Sequence, residues 1–175
     1  KGPEEAYLKD LAKNNERIKF VGFINDKEVI EYYSNALAVL YVPYEEDYGL
    51  VTIEAMMSRK PVITCNDSGG TKEFVIDGET GFVVNKDNPR ELAEKIDTLV
   101  KNKELAKQMG QAGYQKVKNI TWSNVISKLL NEKYYDIRNT AERRKKIVVT
   151  SHFPVYPPRG GGQSRIFNLY KNIAR

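Results

Sequence analysis

The sequence has one cysteine, one histidine and no long hydrophobic run. Cys65 alone excludes an intramolecular disulfide framework, and with His152 it cannot make a zinc site of Cys/His type. The longest apolar stretch, residues 36–42, is far short of the roughly 18 residues that a membrane-spanning helix needs. Nothing resembles a signal peptide. No Gly-x-Gly-x-x-Gly follows a strand-like segment, which argues against a dehydrogenase. These absences predict a soluble protein of a reducing compartment, cytoplasmic by expectation.

What is present is enough for a core. Hydrophobic residues make up 41% of 175 residues, too many for a disordered chain. The net charge of +5 is unevenly spread. Residues 132–175 carry ten Lys/Arg and three Asp/Glu, a net of +7, which leaves −2 on residues 1–131. The densest run, Arg143-Arg144-Lys145-Lys146, reads either as an anionic-membrane or nucleic-acid patch or as a solvated linker. No aromatic residue interleaves it, so we favour the linker and expect no nucleic-acid partner. The chain opens on Lys1-Gly2-Pro3 and stops inside a helical pattern, so we expect an internal piece of a longer protein.

Helix and strand signals alternate. Pro3 suits a first helical position, with Ala6, Leu8, Leu11 and Ala12 as an apolar face. Residues 17–21 alternate as a strand. Asn25 and Glu28 have capping-box spacing, which predicts a helix from Asp26 to about Ser34. Residues 37–44 read as a buried parallel strand broken by Pro43. Leu50, Ile53, Met56 and Met57 define a helix that ends before Pro61, and residues 61–65 form the next buried strand. Gly69-Gly70-Thr71 opens a short helix and either touches a ligand or makes a tight turn. A turn at 77–81 leads to a strand at 82–84. Asn88, Pro89 and Glu91 predict a capped helix, residues 103–118 a second. Thr121 caps a third, striped by Trp122, Val125, Ile126, Leu129, Leu130, Tyr134 and Ile137; that stripe packs on its own domain or binds a partner. This alternation predicts an α/β fold, a Rossmann-like parallel sheet with flanking helices, binding ligands beyond the carboxyl ends of its strands. Cys65, ending a buried strand with no histidine near it in sequence, reads as a core residue and not a nucleophile.

The loop after residue 43 carries the chemistry. Glu46 lies in it, and Glu54, after seven intervening residues, lies in the following helix. Gly49 stands at the helix start, where a ligand can approach the backbone closely. The free amides of Leu50 and Val51 then form an anion site suited to a diphosphate. Flanking carboxylates would accept from hydroxyl groups on either side, the layout of a nucleotide sugar. Complementing the helix dipole would explain Glu45, Glu46 and Asp47 equally well, but not Glu54 beside an apolar stripe.

The stretch Pro43-Tyr44-Glu45-Glu46-Asp47-Tyr48-Gly49-Leu50-Val51-Thr52-Ile53-Glu54-Ala55-Met56-Met57 resembles the Glu-x7-Glu motif of retaining GT-B glycosyltransferases of family 4, a group rich in mannosyl- and glucosyltransferases. The likeness extends through residues 17–23, Lys60-Pro61-Val62-Ile63, and Gly69-Gly70 to Gly81-Phe82-Val83-Val84. It implies that residues 1–140 are an incomplete GT-B C-terminal domain, which binds the nucleotide-sugar donor (a GDP- or UDP-sugar). Glu46 would be the catalytic residue, binding hydroxyls of the donor sugar. Tyr48, Gly49, Leu50 and Val51 would bring backbone amides to sugar and diphosphate. Glu54 would hold the ribose hydroxyls, and Val21, Gly22, Phe23 and Ile24 would border the base. The resemblance further implies transfer of a hexosyl group with retention by a front-face mechanism, no bound metal or other cofactor, a glycan or lipid-linked acceptor and a peripheral membrane contact. A non-catalytic Rossmann-like nucleotide-binding module of a tandem protein is the alternative.

The family's donor domain opens with strands, a Gly-Arg pair and a diphosphate-binding Lys that would precede Lys1. In the doubly wound order 3-2-1-4-5-6, residues 17–22 would be the third strand and 37–42 the fourth, with an unpaired flank. After a linker at 141–145, residues 146–175 resemble the start of a second GT-B N-terminal domain, with His152 and Gly160-Gly161-Gly162 in its loop. Strand 146–151 either fills the gap beside 37–42 or stays detached.

Overall fold

The computed structural model describes residues 2–130. The expectations for residues 131–175, including the linker, the second-domain start and the strand swap, lie outside them. A first compact unit runs to Val117, and a second begins at Lys118.

Local signals fix most helices. Helix α1 (Glu5–Ala12) starts two residues after Pro3 and buries only Ala12. Helix α2 (Asp26–Asn35) opens on the expected capping box: Asn25 Oδ1 accepts from the amides of Lys27 and Glu28, and Glu28 Oε2 accepts from the Asn25 amide at 2.7 Å. No residue of α2 is buried. The strand expected at 17–21 is absent. Alternation gives it a strand-like pattern, but no neighbouring segment among the described residues offers a ladder, and a strand exists only through such bonds.

The sheet has three parallel strands, β1 (Val39–Leu40), β2 (Val62–Cys65) and β3 (Gly81–Val84), in that spatial order. This is the α/β arrangement expected, with sequential neighbours linked through helices. Val39 pairs with Val62, and Ile63 with Phe82. The central strand β2 is buried on both faces, as its continuous apolar run requires. The strand expected to be buried over 37–44 is corrected. It shrinks to two residues, and Leu40 and Val42 stand 47% and 49% exposed. Among the described residues β1 pairs only with β2, so it is an edge, and an edge strand buries less than a central one.

Helix α3 (Leu50–Met57) connects β1 to β2 and packs on β2 and on α5 (Lys103–Val117). Ile63, Cys65, Phe82 and Val84 share a core with Leu99 of α4 (Pro89–Lys101) and with Ala106 and Met109 of α5. Burying each of these larger side chains contributes about 1.5–3 kcal/mol. Helix α3 ends in a Schellman arrangement: Lys60 N–H donates to Ala55 O and Arg59 N–H to Met56 O, with Arg59 at a φ of 55°. The Arg59 guanidinium lies 4.6 Å from the Tyr114 ring centroid on α5. Asn88 caps α4 and accepts from Glu91 N–H at 3.1 Å. The other half of that expected capping box is rerouted. The Asn88 amide already donates to Asn85 O, so Glu91 accepts from the Asn85 amide instead.

In the second unit the described part is α6 (Trp122–Leu130), capped by Thr121 Oγ1, which accepts from Asn124 N–H at 3.2 Å. Ile126 of its stripe is buried and Leu129 is exposed. Among the described residues no helix is long and apolar enough to cross a membrane.

Candidate functional site

The carboxyl ends of β1 and β2 lead into two loops that meet. Glu45 N–H donates to Asp67 O at 3.0 Å, and Gly70 N–H donates to Glu46 O at 2.7 Å. Gly69, at a φ of 63°, lies so close to the Glu46 carbonyl and amide that a Cβ there would overlap backbone atoms, and Gly70 faces the Asp47 carbonyl as tightly. The pair is a seat for the backbone that carries Glu46, a role beyond the ligand contact or tight turn expected of it. Glu45 itself takes a φ of 44°, unusual for a side chain larger than hydrogen.

Gly49 is the N-cap of α3 in the left-handed conformation, φ 71° and ψ 55°. A Cβ would stand 2.7 Å from Thr71 Oγ1, so both backbone and space demand glycine. No side chain caps this helix end. The amides of Leu50 and Val51 therefore belong to the unsatisfied first turn, and the helix dipole favours an anion in front of them. The hydroxyls of Thr52 and Thr71 beside Gly49, and those of Thr64 and Ser68, are buried without a hydrogen-bond partner among the described residues.

Each glutamate is held by a tyrosine. Tyr41, just past β1, donates its hydroxyl to Glu46 Oε2 at 3.0 Å, and Gly49 N–H donates to Glu46 Oε1 at 3.3 Å. Tyr33, on α2, donates to Glu54 Oε2 at 3.1 Å. Burial, then the charge of Glu54 and its hydrogen bond, push the Tyr33 phenol up to about 12, with a further contribution from Tyr41. The Tyr41 phenol is pushed up by burial and by Glu46. Both tyrosines therefore stay protonated and donate at neutral pH. Tyr48 packs edge-on against Phe74, their centroids 5.4 Å apart.

Val21, Gly22, Phe23 and Ile24 lie in the segment before α2. Phe23 is 96% exposed, and the space around Gly22 is open. The hydrogen bond seen between this part of the chain and the Glu46–Glu54 segment runs from Tyr33 on the following helix α2 to Glu54. Cys65 is buried, and desolvation, followed by Asp67 and Glu91, pushes its thiol up, which keeps it from acting as a thiolate. Sequence reasoning missed Tyr33 and Tyr41. Tyr41 could have been noticed as a polar tip ending an apolar strand, whereas nothing in local spacing connects Tyr33 to a carboxylate 21 residues on.

This arrangement offers anion-directed amides between two oriented carboxylates that accept hydrogen bonds. Comparison with known proteins bears on the fold that carries it. A family model for glycosyl transferases group 1 matches residues 1–116. The capsular polysaccharide biosynthesis glycosyltransferase CapM of Staphylococcus aureus is 32% identical over 131 residues, covering 75% of this chain and 33% of CapM. Among solved structures, sucrose-phosphate synthase from Thermosynechococcus elongatus superposes with a TM-score of 0.67 at 30% identity, over 78% of this chain and 35% of that one. HepE of Anabaena, solved with UDP-glucose, superposes with a TM-score of 0.59 at 26% identity, over 74% of this chain and 38% of HepE. The chain spans about a third of the length of CapM and of sucrose-phosphate synthase. With the family model covering most of its length, and the parallel sheet shared with these GT-B structures, this chain belongs to the glycosyl transferases group 1 family.

Proposed function

We propose that this domain binds the nucleotide-sugar donor of a retaining hexosyltransferase of family 4. The observation that carries the reading is the disposition of Glu46 and Glu54 around the uncapped start of α3, beyond the carboxyl ends of β1 and β2. A diphosphate sits before the amides of Leu50 and Val51, with Gly49, whose own amide is held by Glu46, giving the close approach, and backbone dipoles, with no metal, meet its charge. Glu46 accepts from hydroxyls of the sugar, and Glu54 from the ribose. Tyr48 lends its backbone amide, and Val21–Ile24 border the base. The likeness to HepE, solved with UDP-glucose, favours a UDP-sugar, with a GDP-sugar the other candidate. Neither glutamate is a covalent nucleophile in this scheme; transfer proceeds on the front face. The acceptor, a glycan or lipid-linked sugar, binds on another domain of the whole protein, which is cytoplasmic with a peripheral membrane contact.

The test is kinetic and uses the full-length transferase. Glu54→Ala should weaken nucleotide-sugar binding by about 1–3 kcal/mol, the range for hydrogen bonds to a charged group. Glu46→Ala should lower kcat more than it weakens binding of the free nucleotide. Small, equal effects would refute these roles. Donor binding without turnover in the unaltered protein would instead mark a non-catalytic module. The anomeric configuration of the first-formed product, read by NMR, checks retention.

A further inference from the structure

Each of the two glutamates takes a hydrogen bond from a tyrosine in a different part of the chain. Each gives one oxygen, Oε2, to a tyrosine hydroxyl: Glu46 to Tyr41 and Glu54 to Tyr33. Glu54 Oε1 has no partner among the described residues and is exposed with its side chain. Glu54, anchored through one oxygen, keeps its second oxygen, and the remaining lone pairs of the first, for hydroxyl groups presented in a fixed direction, whereas Glu46 is fixed at both oxygens, by Tyr41 and by the Gly49 amide, and offers its remaining lone pairs. Unanchored, an exposed Glu side chain samples several rotamers, and a ligand must bear the cost of selecting one.

The Tyr33 bond is not a by-product of core packing. Helix α2 has no buried residue, yet Tyr33 reaches across to α3 and places its phenol in a half-buried position. Tyr41 likewise turns its hydroxyl toward Glu46 where the chain leaves the edge strand. Two separate tyrosine–carboxylate pairs, Tyr33 with Glu54 and Tyr41 with Glu46, thus hold the two carboxylates.

We propose that Tyr33 and Tyr41 are positioning residues, Tyr33 setting the Glu54 carboxylate for the ribose and Tyr41 setting the Glu46 carboxylate for the transferred sugar. The proposal rests on the donor-site reading above. It assigns separate duties: Tyr33 acts on affinity for the donor, Tyr41 on turnover. Neither tyrosine takes part in bond making.

The experiment uses the full-length transferase. UDP-glucose and GDP-mannose are each supplied with water as acceptor, and release of UDP or GDP is followed with whichever donor is turned over. Tyr33→Phe keeps the ring and removes the hydroxyl; the donor KM should rise about tenfold with kcat within about twofold. Tyr41→Phe should lower kcat about tenfold with the donor KM within about twofold. Unchanged kinetics in both variants would overturn the proposal, as would equal changes in both parameters accompanied by a lower Tm, the mark of a merely structural bond. A double-mutant cycle of Tyr33→Phe with Glu54→Gln is the second readout: coupling of about tenfold on donor KM supports the assignment, and additivity overturns it. Glu46→Ala and Glu54→Ala run in parallel. Normal kinetics there would remove the donor-site reading and this proposal with it, whereas impaired glutamate variants beside normal tyrosine variants would remove only the proposal.

Discussion

Gly70 donates its amide to the carbonyl of Glu46 at 2.7 Å, which ties the loop after β2 to the loop after β1 at the residue we assign to the sugar. The same approach leaves no room for a side chain at Gly69 or Gly70. Gly70→Ala should therefore push the 45–48 loop away from its seat. We expect a stability loss of about 1–3 kcal/mol by denaturant titration, typical of overpacking against backbone. Donor binding should fall alongside it. Unchanged stability would mean that the two loops separate freely.

Gly49 and Gly22 offer a matched comparison. Both have positive φ, 71° and 68°, but a Cβ at Gly49 would strike Thr71 Oγ1, while the space at Gly22 is open. Gly22→Ala should cost only the left-handed backbone penalty, about 1–2 kcal/mol. Gly49→Ala adds a steric clash and should cost about 1–3 kcal/mol more. Melting curves of the two variants measure the difference directly; equal losses would contradict the close packing of Thr71.

The Tyr33 phenol has a folded-state value of about 12 against an ordinary value of 10. The raised value means that the folded chain retains this proton after the unfolded chain has lost it. The stabilisation is therefore fully present below pH 10, falls as the unfolded phenol ionises, and is gone above about pH 12. Stability of the full chain should decline across this window, and Tyr33→Phe should flatten part of the decline. Tyrosinate absorbance provides the second check: Glu54→Gln should move the Tyr33 titration down, while burial still holds it above the ordinary value.

Thr64, in the middle of the buried strand β2, carries a hydroxyl with no hydrogen-bond partner among the described residues. Desolvating such a group without compensation is costly, and valine fills nearly the same volume. Thr64→Val should raise stability by about 1 kcal/mol. A loss of similar size in a denaturant titration would show that the hydroxyl is satisfied in solution.

Where an interaction spans only a few residues, the sequence alone determined it. Asn25 and Glu28 closed their capping box, Asn88 and Pro89 started α4, and the run of residues 61–65 became a fully buried strand. Gly49 fell at the start of α3, with Glu46 before it and Glu54 within it. These features depend on 3.6-residue and two-residue periodicity and on local hydrogen bonds, which neighbours in sequence suffice to specify. Tertiary structure decided the rest. Residues 17–21 alternate correctly but formed no strand, because a ladder requires a partner, and residues 37–44 lost most of their burial because, among the described residues, β1 pairs only with β2. The seat of Glu46 on Gly69-Gly70 and the reach of Tyr33 to Glu54 join residues more than 20 positions apart. No periodicity encodes such contacts; they arise only when parallel crossovers bring loop ends and helix faces to the same edge of the sheet.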